Sequence, residues 1–256
     1  MPFASHVKPR LRAAAIHLAA SAFIAAAVSL LIFLRWYPPP FASIAGAFGL
    51  FTLLVSVDVV LGPALTAVVA SPGKPMHVLA RDLALIVAVQ LAALGYGVYT
   101  MALARPVALV FEVDLLRLVS AADLEEGSLQ KAAPELQALS WSGPRLFAAV
   151  KPTDPDEQFR SIELALAGIH LAMQPSYWRD YASQGDAAWR AARPVSELTT
   201  RYPDVAEKVA RIAAEAGMPT EALRFLALTA RHADWVALIT APDARIVEYL
   251  HVDGFF

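Results

Sequence analysis

Three long apolar runs dominate the first 104 residues of the chain. They cover about 11–34, 42–70 and 83–104, each with at most one strongly polar side chain inside it. Crossing roughly 30 Å of hydrocarbon takes about 20 mostly apolar residues, so each run predicts a transmembrane helix. The first has Lys8, Arg10 and Arg12 at its start, where a signal peptide also carries basic residues. Its run exceeds the roughly 7–15 residues of a signal core, and two more spans follow, so it is expected to be an uncleaved first span.

Beyond residue 104 the periods shorten. "PVALVFEVD" (106–114), "LLRLVSA" (115–121) and "PRLFAAV" (144–150) read as strands. "DEQFRSIELALAGIHLAM" (156–173) places apolar residues at 159, 162, 166, 169 and 173, the spacing of an amphipathic helix. "PDVAEKVARIAAEAGM" (203–218) does the same and ends at Gly217, a C-cap residue. "FLALTA" (225–230), "DWVALITA" (234–241) and "RIVEYLHV" (245–252) return to strands. Strands, then helices, then strands predict an α+β domain with an antiparallel sheet.

Charge sharpens the division. Residues 1–104 hold six basic groups and two acidic ones, Asp58 and Asp82, whereas 105–256 hold 15 basic and 21 acidic groups. The break places a domain boundary near 104/105, with 105–256 expected to fold when expressed alone. The 57% apolar content of the whole chain is that of a membrane region joined to a water-soluble one. Basic residues cluster before the first span and in the 71–82 loop (Lys74, Arg81), whereas 35–41 carries Arg35 beside Trp36 and Tyr37. The positive-inside rule then puts the N-terminus in the cytoplasm and 105–256 in the periplasm of a two-membrane bacterium. An acidic outer domain disfavours nucleic-acid binding.

Few residues of the chain point to catalytic chemistry. There is no cysteine, hence no disulfide, thiolate nucleophile or Cys-based metal site. The histidines (His6, His17, His77, His170, His232 and His251) show no metal-ligand spacing. No nucleophile elbow, P-loop or dinucleotide fingerprint occurs, so neither an enzyme nor a cofactor is expected. His170 is read as structural, Glu125 and Glu126 as a solvated loop, and Asp154–Glu157 as a helix N-terminus. Gly95 and Gly97 read either as a close helix contact or as tolerated glycines.

Asp58 stands apart. A carboxylate inside a span costs at least about 2.5–3.5 kcal/mol and is a functional candidate by default. It lies about 18 Å above the inner end of its span, Tyr96 about 19 Å and Gln90 about 10 Å above the start of theirs. Tyr96 is therefore its expected partner, with Gln90 second. Pro63 removes the N–H that the Val59 carbonyl would receive, and Ser56 and Thr66 add hydroxyls. Asp58, Pro63, Thr66, Gln90 and Tyr96 are thus one intramembrane polar site. Three readings remain open: a hydrogen-bonded knot locking the bundle, a docking site for another membrane helix, and a proton relay with His17.

Several strings then resemble a known family: "RWYPPPF", "VDVVLGPALTAVV", "ARDLALIVAVQLAALGYGVYTMALARPVALVFEVD" and "DWVALITAPDARIVEYLHVDGF". In order along the chain they are similar to the type IV pilin accessory proteins of the TfpX/TfpZ type. The resemblance covers 11–123, weakens through 124–222 and returns at the C-terminus. It implies an inner-membrane protein that stabilises or assembles a type IV pilin, contacting its membrane helix and globular domain, without catalysis. The alternative from another class is a membrane immunity or inhibitor protein directed at a toxin or phage factor.

Overall fold

The computed structural model describes residues 3–71, 73–231 and 234–256. The chain forms two compact units, one of residues up to Trp36 with Ala47–Leu103, the other of Tyr37–Gly46 with Ala104–Phe256.

In the first unit, helix α1 (Phe3–Leu31) runs into a π-helical turn, Ile32–Trp36. The four-residue helix α2 (Phe41–Ile44) follows in the 37–46 segment. Next come α3 (Ala47–Ser56), a second π-helical turn (Val57–Leu61), α4 (Gly62–Val69) and the 29-residue α5 (Met76–Ala104). The stretches Arg10–Trp36, Ala47–Val69 and Met76–Ala104 are long and apolar enough to cross a membrane. Phe23, Leu53, Val68, Leu85 and Val89 are exposed on them, an arrangement that lipid, unlike water, accommodates. One end of the bundle is polar: Arg10 Nη2 donates to Ser71 Oγ at 2.8 Å, and Lys74 pairs with Asp82. Gly97 lies against Leu54, where an added Cβ would sit 2.0 Å from Leu54 Cδ1, whereas nothing approaches the Cβ position of Gly95. Gly97 is therefore a close helix contact and Gly95 a tolerated glycine.

The second unit is built on a curled mixed sheet. Its strands are β1 (Pro106–Glu112), β2 (Leu115–Ser120), β3 (Arg145–Ala149), β4 (Trp178–Asp180), β5 (Arg193–Pro194), β6 (Leu223–Thr229), β7 (Asp234–Thr240) and β8 (Arg245–Leu250). The order is β4-β3-β1-β2-β6-β7-β8, with β5 against β6. Most pairings are antiparallel, and β1/β3 and β2/β6 are parallel. Helices α6 (Ser128–Lys131), α7 (Pro155–Leu166), α8 (Gly185–Ala191), α9 (Val195–Arg201) and α10 (Ala206–Glu215) fill the connections.

Alternation along the strands sorts the core. On one face Leu109, Phe111, Leu226, Leu228, Trp235, Ala237 and Ile239 pack with Ala188 of α8 and Ile44 of α2. On the other, Ala108 and Val110 join Phe147, Leu136 and Trp178, while Phe225, Val236 and Leu238 meet Val195, Leu198, Val209 and Ile212 of α9 and α10. Both faces are covered, which is why β1 is buried throughout and reads as a continuous apolar run.

The 37–46 segment thus contributes to the core of the second unit. Ile44 is fully buried, and Phe41 packs edge-on to Tyr249 at 5.6 Å. Tyr37 is buried as well. Burial raises its phenol pKa strongly, against the opposing pull of Arg105, so it stays neutral at physiological pH. Arg105 lies 3.7 Å over the Trp141 ring and donates through Nε to the Ser140 carbonyl at 3.2 Å.

The helix expected over 156–173 ends at Leu166, and Gly168 at φ 90° turns the chain away. Its start follows the expectation, with Asp154 Oδ1 accepting from the N–H groups of Asp156 and Glu157 at 3.0 Å each. His170 therefore lies beyond the helix, before the Leu171–Met173 turn. The apolar stripe of α7, Phe159, Ile162 and Leu166, is exposed. Helix α10 ends before Gly217, whose φ of 68° is the left-handed cap that the sequence predicts.

Candidate functional site

A cavity of about 450 Å³ opens among the three long helical stretches of the first unit. Helix α1 lines it with Ile16, His17, Ser21 and Ile24, the π turn and α4 with Asp58 and Thr66, and α5 with Val87, Gln90 and Leu91. Its walls are apolar and its base is polar. Ile16, Ile24, Val87 and Leu91 on the rim are exposed, so the cavity opens sideways, onto the apolar surface of the helices.

The base follows from the backbone. Asp58 sits in the π turn, where a carbonyl accepts from the N–H five residues on. For Asp58 that residue is Pro63, which has no N–H. Gln90 replaces the missing donor: its Nε2 donates to the Asp58 carbonyl at 3.2 Å. The orphan created by Pro63 is thus at Asp58, one residue before the Val59 that regular α geometry would expose. Pro63 itself falls at the start of α4, where its fixed φ suits a helix. Such π turns recur at functional sites in helices.

Glycine makes the approach of Gln90 possible. A Cβ on Gly62 would lie 2.1 Å from Gln90 Nε2. Gly62→Ala is expected to push the amide off the Asp58 carbonyl and cost about 1 kcal/mol, the worth of one hydrogen bond. Thermal unfolding of the purified protein in micelles measures this. Adding Gln90→Ala to Gly62→Ala should cost little more, because the bond is already lost.

Of the residues read as one polar site, Asp58, Thr66 and Gln90 line the cavity together. Asp58 is 8% exposed, and its Oδ1 finds no protein partner; neither does the buried Oε1 of Gln90. Thr66 bonds His17, with Nδ1 and Oγ1 2.6 Å apart. Tyr96 is 74% exposed and faces away from the cavity. Reading the spans one at a time makes His17 shallow and passes over Ser21. Their spacing of four, with Ile24 next on the same stripe, is the signal that puts them on one helix face. Among the described residues no group of three His, Asp or Glu side chains could hold a metal. His232 lies outside the described residues.

The polar groups here can bind a ligand or hold a proton. A profile of the family described as "Fimbrial assembly protein FimB" matches residues 5–46. Two curated relatives match nearly end to end: the fimbrial assembly protein of serogroup I from Dichelobacter nodosus is 33% identical over 94% of both chains, and that of serogroup E1 is 32% identical over 94% of both. The chain belongs to the fimbrial assembly protein family. A third member, of serogroups C1 and C2, is 43% identical over 46% of this chain and 89% of its own length. No solved structure matches the chain. The family profile spans α1, with His17 and Ser21, and continues through the 37–46 segment that completes the second unit's core.

Proposed function

We propose that this protein, acting in fimbrial assembly as the names of its relatives indicate, binds a type IV pilin and stabilises it or assists its assembly. The observation that carries the reading is the sideways-opening cavity among three membrane-type helices, with a buried carboxylate at its base. A bundle built only to anchor a domain has no use for such a group, whose burial costs at least about 2.5–3.5 kcal/mol. A membrane-embedded binding site has a use for it. The exposed stripe of α7 gives the outer domain a second apolar surface for a pilin's globular part. In this reading the protein works by binding and not by catalysis, in the bacterial inner membrane, with the N-terminus cytoplasmic and the second unit periplasmic.

The orientation has its own test. Alkaline phosphatase fused after Phe256 should be active, as it is only in the periplasm, and a cytoplasm-dependent reporter at the same place should be silent. The reverse pattern would overturn the three-span topology. For the function itself, the strain lacking this protein should show reduced pilin and few surface pili, both restored by the plasmid-borne gene. Unchanged pilin levels and unchanged piliation would remove the proposal.

A further inference from the structure

Two acceptors, Asp58 Oδ1 and Gln90 Oε1, are buried beside this cavity without a donor. The orientation of the Gln90 amide follows from chemistry: a carbonyl oxygen can only accept, so the group facing the Asp58 carbonyl is the NH2, and Oε1 is left over. Gln90 Oε1 is therefore an acceptor, and Asp58 Oδ1 accepts when the carboxyl is ionised. Of the other polar side chains that line the cavity, His17 and Thr66 are bonded to each other, and Ser21 lies on the same face of α1 as His17.

Depth narrows the source of a donor. Asp58 is the central residue of Ala47–Val69, about 17 Å from either end at 1.5 Å per residue. The ammonium of a phospholipid headgroup stays at the interface, about 15 Å from the midplane of a 30 Å core. A second copy of this chain offers no lysine or arginine at that level, since 13–34, 42–70 and 83–104 contain neither residue. What fits is a foreign apolar helix: its hydrocarbon side chains match Ile16, Ile24, Val87 and Leu91, and a nitrogen donor on it meets the two oxygens. The cavity, about 450 Å³, has the size of ordinary binding cavities, roughly 300–1,000 Å³.

We infer that the cavity recognises a partner membrane helix by one amine or ammonium group that it carries to mid-membrane depth, received by Asp58 and Gln90. For the identity of the partner this rests on the pilin reading above; for the ligand chemistry it does not.

The test uses the purified full chain with a photo-crosslinking residue in place of Leu91, which lines the cavity and is half exposed. It is reconstituted in phosphatidylcholine vesicles with a synthetic leucine–alanine helix bearing one central lysine, or the same helix with norleucine there. The lysine helix should be captured at least tenfold more efficiently. Asp58→Asn, whose own amide can satisfy Gln90 Oε1, should accumulate normally and lose that preference. Equal capture of the two helices by the unsubstituted site overturns the inference without any variant, and so does a preference that survives Asp58→Asn. The same crosslinker in cells separates the two readings. Pilin captured equally by the unsubstituted site and by the Asp58→Asn variant leaves the pilin reading standing and removes the donor. A lysine preference in vesicles without pilin capture in cells keeps the donor and removes the pilin.

Discussion

Glu112→Ala is expected to destabilise the second unit by about 3–5 kcal/mol, the usual loss when one partner of a buried ion pair is removed. Glu112 is 6% exposed at the end of β1. Its Oε1 accepts from Arg117 Nε on β2 at 2.6 Å, and its Oε2 accepts from the backbone N–H of Ala172 at 2.8 Å. One carboxylate thus ties the β1–β2 hairpin to the Leu171–Met173 turn. Alanine leaves a mostly buried guanidinium and a buried N–H without an acceptor. Glu112→Gln keeps an acceptor for Ala172 and removes the charge, so its cost should be smaller. Thermal unfolding of the full chain in micelles, followed by tryptophan fluorescence, checks both. A Glu112→Ala protein that melts with the wild type would show that this contact carries no stability.

Ile44→Ala should cost about 2–5 kcal/mol, the range for a fully buried isoleucine whose surroundings relax only partly. The effect should appear in the unfolding of the second unit, although residue 44 lies between two membrane-type helices in sequence. Ile44 packs with Leu109, Phe111 and Trp235 on one sheet face, and Phe41 and Tyr37 accompany it. For the same reason a fragment of 105–256 alone should melt below the same domain in the full chain, since it lacks all three side chains. The expectation that 105–256 folds by itself comes from charge alone, which does not register a short apolar segment contributed from elsewhere. If Ile44→Ala and the fragment both melt with the wild type, the 37–46 segment is an ornament of the core.

Depth counting along the spans carries a related lesson. Counted from residue 83, Tyr96 matches Asp58. Helix α5 begins at Met76, seven residues earlier than the apolar run suggests. From there Gln90 stands about 21 Å up, against about 17 Å for Asp58 counted from Val69. The longer helix shifts the match by nearly two turns, from Tyr96 to Gln90. The polar first turns of α5, with Arg81 and Asp82, disguise its start because hydropathy marks where a helix becomes apolar, not where it begins.

What the sequence determined by itself is whatever local pattern decides. Three apolar runs of sufficient length, the α+β order of the outer strands, the cap at Gly217 and the costly position of Asp58 all follow from composition and period within a single segment. The tertiary structure decided which faces meet. A helix turns about 100° per residue, and a π turn adds a residue to one turn, so the direction of a side chain depends on backbone details that no single-segment pattern records. That rotation places Asp58, Thr66 and His17 toward one cavity and sends Tyr96 outward. The parallel pairings of β1 with β3 and β2 with β6, and the addition of 37–46 to the core of the second unit, are likewise set by contacts between segments far apart in the chain, where burial of apolar surface joins a segment that the charge pattern assigns to the other side of the boundary.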